Sequence, residues 1–134
     1  MSQNSTARNG VFILLCRVAF VMWTLLIGVA TFLPQGSDAA NYFTLGGRDS
    51  IAHFSAYGVL TVLTGLALQG FSHKLRILTS FFFPVLLSIA TESCQPLVGR
   101  AFEVSDMVAN GMGVTVGLAA GAFAMVVLER APEA

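Results

Sequence analysis

The sequence predicts an all-α polytopic membrane protein, four transmembrane helices in a small bundle, and three observations predict it. Of 134 residues, 55% are hydrophobic and only 10% charged, with a mean hydropathy of +0.77, whereas soluble domains carry about a quarter charged residues. The apolar residues gather into four runs, each long enough to cross roughly 30 Å of hydrocarbon as a helix. The segments between them are short, so residues 1–134 read as one transmembrane domain with no room for a soluble one.

The first span, residues 11–33, is almost purely aliphatic and aromatic; Arg17 within it reads as a residue snorkelling to the nearer interface. A polar, glycine-containing loop, "PQGSDAANYFTLGGR", leads to the second span, residues 49–68. Its Ser37-Asp38-Ala39 resembles a small-x-small cleavage site, but an apolar core of this length is long for a signal peptide, and the span is expected to stay attached. A short basic turn, "QGFSHK", precedes the third span, residues 75–95, where Pro84 removes one backbone hydrogen bond and predicts a kink. The fourth span, residues 105–128, carries Gly113, Gly117 and Gly121 at four-residue spacing, a ridge that admits another helix closely, either within the chain or from a partner or second copy.

Charge sets the orientation. Five of the seven basic residues, Arg8, Arg17, Lys74, Arg76 and Arg130, fall on one side of this topology, and Arg48 and Arg100 on the other. The excess marks the cytoplasmic side, so both termini are expected to be cytoplasmic. Lys plus Arg equal Asp plus Glu, so no basic excess points to nucleic acid. Cys16 and Cys94 match no redox or zinc spacing and fall near opposite faces, too far apart to pair.

The polar residues are the unusual feature. An ionisable group at mid-membrane costs roughly 2.5 to 3.5 kcal/mol, so those within spans are functional candidates. Asp49, His53 and Tyr57 follow at i, i+4 and i+8, one stripe on the second span. Glu92 and Gln95 close the third, Asp106 and Asn110 open the fourth, and Arg100 lies on the loop between. All converge on one end of the bundle, the outer one in this orientation. Asp49 and Asp106 also suit helix N-termini, whereas His53 and Glu92 lie inside their spans without that reason.

At these residues the chain resembles the VanZ-like family of small bacterial membrane proteins, on Asp49-x3-His53-x3-Tyr57, Glu92-x2-Gln95, the "VGR" ending in Arg100, and Asp106-x3-Asn110-x2-Gly113-x3-Gly117. The resemblance covers about residues 49–121. It departs at Ser50, where family members usually carry Lys; neighbouring Arg48 is the substitute at hand. The resemblance implies an integral protein of the bacterial inner membrane and cell envelope, with a namesake tied to teicoplanin resistance, and implies no established reaction.

As chemistry, the set suggests action on a lipid-linked envelope molecule, with membrane lipids as its surroundings. His53 oriented by Asp49 reads as a base, Glu92 as a proton donor, and Arg100 as an anion clamp balanced by Asp106. Gln95, Asn110 and Tyr57 read as substrate-positioning groups. The alternative is a non-catalytic module binding a lipid headgroup or glycopeptide-like ligand. No cofactor is indicated: His53, Glu92 and Asp106 suit a metal as residue types, but their spacing matches no metal motif, and no metal is assigned. The orientation makes a direct prediction. A fluorescent reporter fused after Ala134 will be active, and a phosphatase that works only outside the cytoplasm will not; the reverse pattern would invert the topology.

Overall fold

The computed structural model describes residues 2–34, 36–43 and 49–130, with side chains described for 9–34, 36–40 and 49–124. Arg48 lies outside the described residues. The elements in chain order are α1 (Ser2–Thr31), α2 (Asp38–Phe43), α3 (Asp49–Ala67), α4 (His73–Cys94), a 3-10 turn over Gln95–Val98, and α5 (Val104–Arg130), with no strand among the described residues. Four segments have the length and hydropathy to cross a membrane: Asn9–Thr31, Asp49–Ala67, His73–Val98 and Val104–Ala124. The chain is an all-α, multi-pass membrane protein.

Two local differences from the sequence expectation have simple causes. α1 begins at Ser2, well before the apolar run, because a helix ends where its hydrogen bonds end and not where hydropathy changes. The loop after it contains α2: Ser37 Oγ accepts the Ala40 amide at 3.1 Å, and Asp38 occupies the first turn, a side-chain cap and a favourable dipole charge at one helix start. α4 starts at Ser72, whose hydroxyl accepts the Leu75 amide, and runs on through Pro84 as one element. Pro84 is buried; within a bundle neighbouring helices make proline tolerable.

The α3–α4 turn shows how chain ends are satisfied where water is scarce. Gly70 takes φ +95, a left-handed conformation that side chains resist. Arg17 Nε donates to the Ala67 carbonyl at 3.1 Å and Arg76 Nε to the Gly65 carbonyl at 3.4 Å. Arg17 therefore caps the C-terminus of α3, where a cation also complements the dipole. Cys16 and Cys94 are both free.

The core is the crossing of α3 and α5. A Cβ built on Gly113 would fall on the Phe54 carbonyl, and one on Gly117 would stand 2.5 Å from the Gly58 carbonyl oxygen and 2.8 Å from Thr61 Cβ. The two backbones are in contact, so α3 takes the surface of these glycines. Gly121 has nothing within 4 Å of its Cβ position. Beside the crossing, Tyr57, Leu60, Val114 and Ile27 form a buried apolar cluster. α1 is peripheral. It is tied to α3 by Trp23 Nε1 donating to the Ala56 carbonyl at 2.9 Å and to α4 by the Phe20–Phe83 ring pair at 5.4 Å, while Leu14, Leu15, Met22 and Leu25 face outward, as lipid-facing residues do.

A methyl group at Gly113 has no space without separating the helices. Gly113→Ala will lower stability by about 1–3 kcal/mol, the usual cost of overpacking, read as an earlier melting transition in detergent. Gly121→Ala will leave the transition in place.

Candidate functional site

The α3–α5 contact brings the start of α5 beside the first turns of α3, and the end of α4 packs against both. His53 stands between two carboxylates from different helices: Nε2 is 3.3 Å from Asp106 Oδ2 and Nδ1 is 3.7 Å from Glu92 Oε1. Nδ1 also meets Asn110 Oδ1 at 3.1 Å, while Asn110 Nδ2 donates to Ser88 Oγ at 2.8 Å. One amide thus links α3, α4 and α5. Gln95 Nε2 donates to Glu92 Oε1 at 3.0 Å. A carboxylate oxygen from Glu92 and one from Asp106 lie with a His53 ring nitrogen in a triad whose members are all within 4.8 Å of one another.

Burial sorts these groups. Glu92 and Asn110 are 0% exposed and Asp106 and Gln95 3%, whereas the His53 side chain keeps 18% of its surface accessible. A groove of about 250 Å³ opens beside it, lined by Trp23, Leu26, Ile27 and Ala30 of α1, by Ala52, Ala56 and Tyr57 of α3, and at its polar end by His53, Gln95 and Arg100. It lies between α1 and α3 beside the Trp23 contact. Glu92 and Asp106 do not line it. Whatever enters the groove meets His53, and the carboxylates act through that ring.

The structure redistributes several expected roles. Asp49 does not orient His53; Asp106 and Asn110 do, because the spacing that puts Asp49 on the same stripe leaves it one turn nearer the helix end. Its Oδ1 is buried without a hydrogen-bond partner among the described residues. Glu92, expected as a proton donor to substrate, is walled off from the groove. Asp106 pairs with His53 rather than balancing Arg100 directly, although Arg100 lies within Coulombic range of both carboxylates. Tyr57, expected to position substrate, is 2% exposed and bonds Thr91 Oγ1 at 2.7 Å. Thr91 Oγ1 donates its own proton to the Ser88 carbonyl, so the phenol is the donor. Asn110 likewise positions His53 and not a substrate. Ser50 is exposed.

Ser88, Thr91 and Trp23 were not among the expected residues. Ser80, Ser88, Glu92 and Gln95 follow one face of α4 with Pro84 between them, and Ser80, Ser88 and Glu92 are all buried. That polar face at helical spacing was a readable signal for Ser88. Trp23 had none, since an aromatic residue near the middle of an apolar span resembles any lipid-facing residue.

Asn110→Ala would remove the partner of both Ser88 and His53 at a fully buried position. Leaving buried polar groups unmatched costs about 1–3 kcal/mol, so the variant will melt earlier in detergent, and Ser88→Ala, which removes one contact, will shift less. Searches against family models, curated proteins and solved structures find no match for this chain, and the function is read from the geometry of the site.

Proposed function

We propose that this chain is a VanZ-like protein of the bacterial inner membrane that engages an anionic, lipid-linked envelope molecule at the outer face, taking the acyl or prenyl part along α1 and the headgroup at Arg100. The observation that carries this reading is the groove: apolar along Trp23, Leu26, Ile27 and Ala30, and ending on His53, Gln95 and Arg100. That is the polarity profile of an amphiphile, and ligand sites commonly combine apolar walls with a few placed polar groups. Arg100 is half-buried and makes no ion pair with a described carboxylate. Its fork is available to a phosphate or carboxylate. The family assignment rests on the resemblance of residues 49–121, and the outer-face placement on the distribution of Lys and Arg.

A catalytic reading is favoured by one further observation, the His53–Asp106 pair at 3.3 Å. The His53 ring is the reactive group that borders the groove; with Nδ1 donating to Asn110 Oδ1 and Nε2 facing Asp106 Oδ2, its basic nitrogen is Nε2, and a water held between Nε2 and Asp106 is the one it would activate. Water activated by His53 would then attack a phosphate or glycosidic bond held by Arg100, making the protein a hydrolase; a second substrate hydroxyl in place of water would make it a transferase. The site offers no nucleophile suited to a covalent intermediate.

Lipid analysis of purified protein, matched for abundance, tests both readings. Wild type will retain an anionic amphiphile, and Arg100→Ala will retain roughly tenfold less, the worth of one charge-assisted bond. Equal retention by wild type and Arg100→Ala would refute the binding proposal. An altered lipid from wild type but not from His53→Ala would establish catalysis, and the same unaltered lipid from both would leave a binding protein.

A further inference from the structure

We propose that His53, Glu92 and Asp106 form a binding site for a first-row divalent cation, Zn²⁺ or Mn²⁺ by its donor set. The site stands on geometry independent of the lipid reading; only the idea that the cation faces a headgroup rests on that reading.

Three helices contribute one donor each. The triad has one imidazole nitrogen and two carboxylate oxygens within 4.8 Å of one another, a nitrogen and oxygen set suited to zinc or manganese. The His53 Nε2 to Asp106 Oδ2 separation is 3.3 Å. Two ligands at zinc distances and a tetrahedral angle stand about 3.3–3.4 Å apart, so this edge already has the length a cation requires. The Glu92 donor oxygen stands within 4.8 Å of the other two.

The surroundings favour the same occupant. Asn110 Nδ2 donates to Ser88 Oγ and turns Oδ1 toward His53 Nδ1. An amide oxygen there accepts the Nδ1 proton and leaves the Nε2 lone pair facing Asp106, the outer-layer arrangement that metal-binding histidines generally have. Gln95 holds Glu92 Oε1, while Glu92 Oε2, in a residue 0% exposed, makes no well-formed hydrogen bond among the described residues; the Glu103 backbone amide gives the carboxylate a weaker one. Asp49 and Glu103 add negative charge within Coulombic range of Asp106, against Arg100 and the His53 ring. Of these carboxylates Glu92 and Asp106 are buried, Asp49 is half-buried and Glu103 exposed, and two buried carboxylates at one imidazole suit a cation. His53 is also the ligand that borders the groove, so an open coordination position on that side would meet an anionic headgroup beside Arg100.

Metal content and titration of purified protein in an uncharged sugar detergent, with no lipid added, test the site. Zn²⁺ will load to roughly one equivalent per chain, and Co²⁺ substituted for it will give the visible absorption of a nitrogen- and oxygen-ligated ion. His53→Ala and Asp106→Asn will each weaken Zn²⁺ at least tenfold, Asn110→Ala will weaken it about tenfold through the outer layer, and His73→Ala, an exposed histidine elsewhere on the chain, will not change it. The Co²⁺ spectrum of wild type needs no variant and keeps the test decisive if a substitution harms folding. Wild type binding less than about a fifth of an equivalent, or undiminished binding in His53→Ala and Asp106→Asn, would overturn the site. Because lipid is absent, either result leaves the groove's ligand to its own experiment.

Discussion

The contact between α3 and α5 at Gly113 and Gly117 is the constraint on which the rest of the molecule depends. Carbonyl oxygens of Phe54 and Gly58 occupy the space a side chain would fill, and at that separation Asn110 and Asp106 come within reach of His53. A wider crossing would leave an imidazole, an amide and two carboxylates in a low-dielectric interior without partners, where each unmatched group is costly. Small residues at the crossing are thus a condition for the polar site and not only for packing. In lipid, where no hydrophobic difference drives helices together, such close backbone approach is a principal source of association.

Polar satisfaction organises the two ends of the bundle differently. At the α3–α4 turn, Arg17 and Arg76 use their charge to cap carbonyls at the end of α3, a structural use of a cation at a negative helix end. Thr61 and Thr64 donate to the carbonyls of Tyr57 and Leu60, so they ask nothing of their neighbours. At the other end the polar groups bond across helices instead: His53 to Asn110, Asn110 to Ser88 and Tyr57 to Thr91, with Gln95 holding Glu92 at the end of α4. This cross-helix network leaves one reactive ring at its edge, and beyond it Arg100, which makes no ion pair among the described residues. A bundle needing only to hold together would have little reason to leave those two at the mouth of an apolar groove.

α1 explains why the groove exists. Its outward residues suit lipid, and its contacts with the remaining helices concentrate at Phe20, Trp23 and Ile27. The interior between α1 and α3 is therefore incompletely filled, at the level where His53 emerges. In the proposed reading the peripheral helix is the wall for a long apolar ligand, and the well-packed α3–α5 pair is the base that holds the polar residues.

The sequence by itself determined the spans, because twenty-residue apolar runs have one stable arrangement in hydrocarbon. It also pointed to the ionisable residues that the fold gathers at one end, since such groups inside apolar runs are costly. The short helix at Asp38–Phe43 was less legible, because six residues carry no periodicity and its cap is a single serine hydroxyl. Tertiary structure alone decided the roles. Spacing along one helix makes Asp49 the neighbour of His53, but the crossing angle and rotation of α5 bring Asp106 and Asn110 there instead. Burial, which spacing does not encode, made Asn110 a tie between helices, tied the Tyr57 hydroxyl to Thr91 while its ring still lines the groove, and withdrew Glu92 from the groove. The three-donor cluster has no sequence motif because its members come from three helices, and only their packing makes them neighbours.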